Sequence, residues 1–291
     1  MKQNPEILHN RSIISISGEN AKIFLQGLIT NDINKASEKN AIYAFMLGPQ
    51  GRFLYDFFII KNGENFLLDC NKKIIGEIIQ KFSFYKLRSR IAIKEEDLLV
   101  IADPYSNQNY FDELRKNNDV SIFDDPRSKK MGCRIFAKRN VIEKFIKIGK
   151  ADNTEYNFHR LMLRIPDDSD LTMDKSLPLE FGFDNLNSID YQKGCYVGQE
   201  TTARMHYRGT IRKKIFLVEV ADCDEIEKSA AIEVGGKKIG EILSSIFYDN
   251  KLMALALIKN LDNEGNDINL PELKLTAGDK KIKLLCNSIS Q

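Results

Sequence analysis

Apolar positions along this 291-residue chain change their spacing several times, and each change marks an element. SIISIS (12–17) alternates as a strand does, and ENAKIFLQGLITNDI then places Ile23, Phe24, Gly27 and Leu28 at helical spacing. IYAFML (42–47) and RFLYDFFII (52–60) read as strands joined through GPQG, a hairpin with a four-residue connection. ENFLLDC follows the turn signal KNG as a third strand. KKIIGEIIQKFSF (72–84) reads as a helix, and RIAIKEEDLLVIAD as two short strands. Residues 108–118 and 139–149 read as helical, and EYNFHRLMLRIP as a helix that stops before Pro166. Strands and helices mix without the alternation of a doubly wound sheet, and no GxGxxG follows a strand, so a dinucleotide-binding fold is not expected.

The pattern changes near residue 209. TIRKKIFLVEV, AIEVGGKKIGEI, KLMALALIK and LKLTAGDKKIKLL are nearly all strand, with hairpin turns at GG and AGD. About 80 residues of short antiparallel strands predict a small barrel or sandwich. The expected division is therefore 1–208 and 209–291.

Composition removes whole classes of function. Hydrophobic content of 43% and charged content of 29% describe a globular protein, and a net charge of +2 does not by itself point to a polyanion. The first twenty residues have neither an apolar core nor a cleavage site, and no apolar run reaches the roughly 18 residues that cross a bilayer. The expectation is a cytoplasmic protein without a membrane partner. Cysteines at 70, 133, 195, 223 and 286 are odd in number and form no CxxC, which argues against a disulfide framework and against a local zinc site. Cys70 and Cys286 lie in apolar runs and are expected in cores. Histidines 9, 159 and 206 are too scattered for a metal motif.

Cys195 differs. It lies in KGCYVGQE (193–200), between Gly194 and Gly198 and just ahead of a stretch, QETTARMH, rich in helix formers. A thiol there, near Lys193 and Arg204 and before a helix N-terminus, has the setting of a reactive thiolate; a packed, inert cysteine in a glycine turn is the other reading. A basic run follows, Arg204, His206, Arg208, Arg212, Lys213 and Lys214, suited to a solvated face, a ligand carboxylate or a phosphate backbone. Tyr207 is its lone aromatic neighbour, so a dedicated nucleic-acid surface is not expected. Asp56 sits inside FLYDFFII, on the face of Leu54 and Phe58 by alternation, where a carboxylate is costly unless paired, used or at an exposed edge. Glu180 is similarly bracketed in PLEFGF. A Cys195–His206 catalytic pair is a further possibility across eleven residues.

KGCYVGQETTARMHYRGTIRKK (193–214) resembles the signature of the folate-binding YgfZ family, relatives of the glycine-cleavage aminomethyltransferase whose mitochondrial members act in iron–sulfur cluster biogenesis. FLQGLITNDI (24–33), GPQGRFLYDFFI (48–59), KLRSRIAI (86–93) and LPLEFGFDNLNSIDYQKGCYVGQE (177–200) extend the resemblance over nearly the whole chain, with 95–150 contributing little. It implies an α+β fold: a three-part ring of two interleaved α/β subdomains closed by a C-terminal antiparallel β-barrel around a central folate-sized cavity. Carried over by position, Asp56 and Glu180 line the pterin pocket, with Tyr43 and Arg204 as softer candidates. Cys195 stands where the aminomethyltransferase branch usually has aspartate. Lys193, Gly194, Tyr196, Gly198, Gln199 and Glu200 complete its motif. One departure is Arg164 in RLMLRIPDD, where related sequences usually have glycine; it is expected to reshape the pocket wall or pair with Asp167 or Asp168.

The implied function is tetrahydrofolate-linked assembly or repair of iron–sulfur proteins, with Cys195 as the working thiol and a scaffold or client protein as partner. The alternative is a folate-dependent aminomethyltransferase in which Asp56 activates the folate amine.

Overall fold

The computed structural model describes residues 5–105, 111–145, 153–209, 211–262 and 264–285. In chain order its first elements are β1 (Glu6–Ile7), β2 (Arg11–Ser17), α1 (Ala21–Leu28), β3 (Ile42–Leu47), β4 (Phe53–Asn62), β5 (Asn65–Asn71) and α2 (Ile75–Lys86). Then come β6 (Ala92–Glu96), β7 (Leu99–Asp103), α3 (Phe111–Leu114), β8 (Val120–Asp124), β9 (Cys133–Ala137), α4 (Arg139–Ile142), α5 (Thr154–Met162) and α6 (Gln199–Arg208). The last six strands are β10 (Lys213–Val220), β11 (Ala231–Val234), β12 (Lys237–Tyr248), β13 (Lys251–Lys259), β14 (Leu275–Ala277) and β15 (Lys280–Leu284).

These strands form three antiparallel units. One sheet has the order β3-β4-β5-β2-β6, a second the order β1-β7-β9-β8, and β10–β15 close a six-stranded barrel. The chain passes between the sheets twice, from β1 to β2 and from β6 to β7, so the first two units are interleaved in sequence. The turns carry the residues their geometry needs. Gly235 and Gly236 are left-handed between β11 and β12, and Asp249 and Asn250 are left-handed in the two-residue turn between β12 and β13.

All three units contribute to one apolar core. Tyr43, Phe45 and Phe58 meet Phe123 and Phe136 of the second sheet and Leu243, Leu255 and Leu257 of the barrel. α1 and α2 cover the opposite face of the first sheet, over Leu54, Phe57, Leu68 and Cys70. Cys70 is buried as expected, and burial pushes its thiol pKa up; Cys286 lies outside the described residues. The buried stripe of α1 is Ala21, Phe24, Leu25 and Leu28, spaced i, i+3, i+4 and i+7, and Ile23 is 74% exposed instead of inside.

One correction bears on the site. Leu54 does not share a face with Asp56 and Phe58. β4 pairs Tyr55 with Met46 but Phe53 with Leu47, so Leu54 is the extra residue of a β-bulge. The bulge breaks the alternation, sends Leu54 beneath the helices, and leaves Asp56 with Phe58 on the face toward the other two units. β4 lies inside its sheet and Asp56 is 2% exposed, which excludes an edge-strand charge facing solvent.

Candidate functional site

The cysteine loop is held by two buried side chains that leave the residues between them outside. Lys193 and Tyr196 are buried, while Gly194 and Cys195 are exposed. The Lys193 ammonium donates to the carbonyls of Gln26 (2.8 Å), Ile29 (2.6 Å) and Asn31 (2.9 Å). Gln26 and Ile29 belong to the end of α1, where carbonyls lack intrahelical partners and the helix dipole is negative. Lys193 therefore joins the cysteine motif to the FLQGLITND segment, with its charge turned toward those carbonyls. Burial draws its pKa down to about 8, against Asp32 and Asp190. More stitches run alongside: Thr30 Oγ1 donates to Ser188 O (2.7 Å), Asn31 Nδ2 to Asn187 O (2.7 Å), and Asp190 N–H to Thr30 O (3.0 Å).

Gly198 closes the loop. Its φ is +84°, and a Cβ there would lie 2.5 Å from Gly48 O and 3.2 Å from Gly51 Cα. The cysteine motif thus packs backbone to backbone on the GPQG turn, and α6 starts at the next residue, Gln199, with Glu200 in its first turn. Gly194 has no such constraint, since an added Cβ meets nothing within 4 Å. Arg204 is exposed on α6, and the His206 ring stacks on Tyr191 at 3.7 Å. The basic run is divided, with Arg204, His206 and Arg208 on α6 and Lys213 and Lys214 in β10.

Asp56 belongs to a dense buried network. Arg11 Nη1 donates to Asp56 Oδ1 at 2.9 Å and to Asp168 Oδ1 at 3.2 Å, and Arg11 Nε donates to Asp69 at 2.6 Å. The Tyr43 hydroxyl donates to Asp56 Oδ2 at 3.1 Å; burial and then the Asp56 charge raise its pKa. Arg134 reaches Asp69, its guanidinium carbon 3.5 Å above the Phe58 ring, and Arg127 pairs with Asp125 at 2.8 Å. What remains beside Asp56 is a space of about 30 Å³ among the arginines and another of about 160 Å³ toward α2. The first holds about one water, and both lie below the roughly 300 Å³ at which ligand pockets begin.

Glu180 faces a different cavity, of about 530 Å³, between the barrel strand β10 and the turn after α5. Its carboxylate accepts from Lys213 Nζ at 3.4 Å. Asp56 and Glu180, expected in one pocket, are thus divided, and Arg127 borders both spaces. Neither Tyr43 nor Arg204 lines the larger cavity. Its wall carries polar atoms that are buried without a partner: Arg127 Nη1, Arg164 Nε and Nη2, and Asp184 Oδ1. Two arginines and two acids, Arg127, Arg164, Glu180 and Asp184, give this wall the polar residue types of a ligand site. Arg127 carried no sequence signal, and Asp184, though inside the LPLEFGFD segment, was not singled out. The DDPRS segment around Arg127 falls in the stretch with little resemblance, and only the fold brings it to Glu180.

Three antiparallel units sharing one core, with a glycine-bound cysteine loop at α6 and a cavity against the barrel, define an aminomethyltransferase-fold protein. The structure matches that of the glycine cleavage system aminomethyltransferase T from Bartonella henselae with a TM-score of 0.76 at 14% identity, over 98% of this chain and 85% of that one. No protein-family model matches the chain. In sequence it is similar to mitochondrial iron–sulfur cluster assembly factors of the IBA57 type. The Dictyostelium discoideum homologue is 30% identical over 269 residues, the Neurospora crassa homologue 32% over 228 and the Homo sapiens protein 29% over 235. These matches take in 78%, 72% and 74% of this chain, but 64%, 52% and 66% of the relatives' own lengths. Its homologues are thus IBA57 iron–sulfur cluster assembly factors at about 30% identity, and its fold is that of the aminomethyltransferase.

Proposed function

We propose that this protein supports the assembly or repair of iron–sulfur proteins through the Cys195 thiol, with tetrahydrofolate held in the Glu180 cavity. The observation that carries the reading is the contrast at the loop. Cys195 is the exposed cysteine among those described, on a backbone fixed by the three carbonyl bonds of Lys193 and the close approach of Gly198. Iron–sulfur clusters take about four protein ligands. Among the described residues no group of three or more His, Cys, Asp or Glu side chains is placed to hold a metal. One thiol in that setting is suited to sharing a cluster, as cargo, with a scaffold or client protein that brings the other ligands.

The donor and acceptor set of the cavity fits folate. Glu180 and Asp184 offer acceptors for the N–H edge of a pterin, and Arg127 offers a donor. Bound there, tetrahydrofolate would supply a one-carbon carrier. The aminomethyltransferase alternative needs Asp56 free beside the folate amine, and Arg11 and Tyr43 hold that carboxylate away from the folate-sized cavity. The relatives are named mitochondrial, and among the described residues no helix is long and apolar enough to cross a membrane. A thiol role requires a reducing compartment, cytoplasm or matrix, which fractionation of the tagged protein identifies.

Two measurements test the proposal. In cells lacking the gene, wild type should restore iron–sulfur enzyme activity and Cys195→Ala should not; full restoration by Cys195→Ala removes the thiol from the mechanism. Titrated tetrahydrofolate should bind wild type at least about tenfold more tightly than Glu180→Ala, a factor worth about 1.4 kcal/mol. Equal affinities would place the folate elsewhere. Formation of methylene-tetrahydrofolate from an aminomethylated carrier would instead establish the transferase.

A further inference from the structure

The end of α5 places an arginine where the backbone favours glycine. Ile165 N–H donates to Arg160 O at 2.9 Å and Arg164 N–H to Leu161 O at 2.8 Å, the paired bonds of a Schellman helix end. That motif needs a left-handed residue just past the cap, and Arg164 has φ +54°. Glycine takes this conformation freely, whereas a residue with a Cβ is strained in it.

The Arg164 side chain adds a second cost. Its Nε and Nη2 are buried and have no hydrogen-bond partner among the described residues. The acids expected to pair with it are engaged elsewhere, Asp167 with Arg160 at 3.1 Å and Asp168 with Arg11 at 3.2 Å. Arg164 borders the Glu180 cavity beside Lys130 and Lys214, and Arg127 lines it too. Strained backbone and unmet donors on one side chain, at the wall of a ligand-sized cavity, mark a functional position. Nε and Nη2 together form the edge of a guanidinium that takes a carboxylate or phosphate in two parallel bonds; both are closed off as the side chain lies, and a turn of the Arg164 side chain toward the cavity it borders presents that edge to a ligand.

We infer that Arg164 reads an anionic group on the ligand of the Glu180 cavity and sets its preference for a tailed, negatively charged folate over a tailless pterin. This specificity role rests on the folate reading above. For tetrahydrofolate the group is a carboxylate of the glutamyl tail. An arginine fork distinguishes such a tail from a neutral one more sharply than a surface lysine does.

The test compares two ligands with one ring system, tetrahydrofolate and 6-methyltetrahydropterin, titrated into the full-length wild type, Arg164→Gly and Arg164→Lys. Wild type should prefer tetrahydrofolate by about tenfold or more. Arg164→Gly should lose that preference, keep its affinity for the tetrahydropterin, and melt at a higher temperature, because glycine accepts the left-handed backbone and the stranded donors are gone. Arg164→Lys, with charge but no fork, should fall between. The inference is overturned if Arg164→Gly binds tetrahydrofolate as wild type does, or weakens toward both ligands equally. Should wild type bind neither ligand, the folate reading fails by itself, and thermal shift with inorganic phosphate decides the rest. Stabilisation of wild type but not of Arg164→Gly upholds the anion site; no stabilisation, or equal stabilisation of both, removes it.

Discussion

Replacing Asp56 with asparagine separates a structural role for this carboxylate from a ligand-binding one. The substitution keeps an acceptor for Tyr43 but removes the charge that holds Arg11 Nη1 at 2.9 Å. Breaking a buried ion pair costs about 3–5 kcal/mol when it strands the other charge. Arg11 is not stranded, because Asp69 and Asp168 remain in contact with it at 2.6 and 3.2 Å. Asp168 is the group that responds. Burial first, and the Asp56 charge second, push its carboxyl up to about 6. A raised carboxyl pKa contributes stability that is fully present below the ordinary carboxylate range and is lost as pH rises through the folded value. Wild type at pH 7 therefore carries a penalty from ionised Asp168 of about 3 kcal/mol at most. Neutralising Asp56 removes the part due to its charge, about 1–2 kcal/mol, while the burial part stays. Taking the low end of that cost, about 3 kcal/mol, and subtracting the relief, the net cost of Asp56→Asn is about 1–2 kcal/mol at pH 7 and about 1 kcal/mol more at pH 5, where there is less penalty to relieve. Urea unfolding of both proteins at the two pH values measures this, with tetrahydrofolate titration in parallel. Folate affinity should be unchanged, since Asp56 does not border the Glu180 cavity. Unchanged stability with a tenfold loss of folate binding, or a cost that shrinks on acidification, would refute the reasoning.

Lys193→Met takes the donor from three carbonyls and should cost about 1–3 kcal/mol, the gain from not burying an ammonium offsetting part of the lost bonds. Amide exchange across 194–198 should quicken, and protection equal to wild type would show that the stitches through Thr30 and Asn31 suffice. Gly198→Ala should cost about 2–4 kcal/mol because its Cβ meets Gly48 O at a left-handed position, whereas Gly194→Ala should stay within about 0.5 kcal/mol. Thermal melts of the pair decide it, and equal costs would mean that the loop does not pack on the GPQG turn.

Much of the architecture was legible in residue spacing, for physical reasons that act locally. Period-two runs and glycine turns mark the barrel because alternate faces must be buried and tight turns need positive φ. The helix before Pro166 ends where proline and a left-handed residue must end it. The bulge at Leu54 was not legible, because its register is set by pairing with β3 and not by β4 alone. The same holds for the face Ile23 turns to solvent, which depends on what covers α1.

The site divides along the same line. The sequence alone determined that Cys195 stands in a glycine-bound turn before a helix and that Asp56 and Glu180 are acids in apolar surroundings, and the resemblance marked Arg164 as a departure. Only the tertiary structure decided where those charges go. Lys193 turns to the carbonyls that end α1, Arg11 and Tyr43 claim Asp56, and Glu180 is left to a cavity shared with Arg127 and Arg164. Each of these outcomes depends on groups that lie in different elements or loops and meet only in the fold. Burial makes every unpaired charge costly, so the fold settles which partner each one finds.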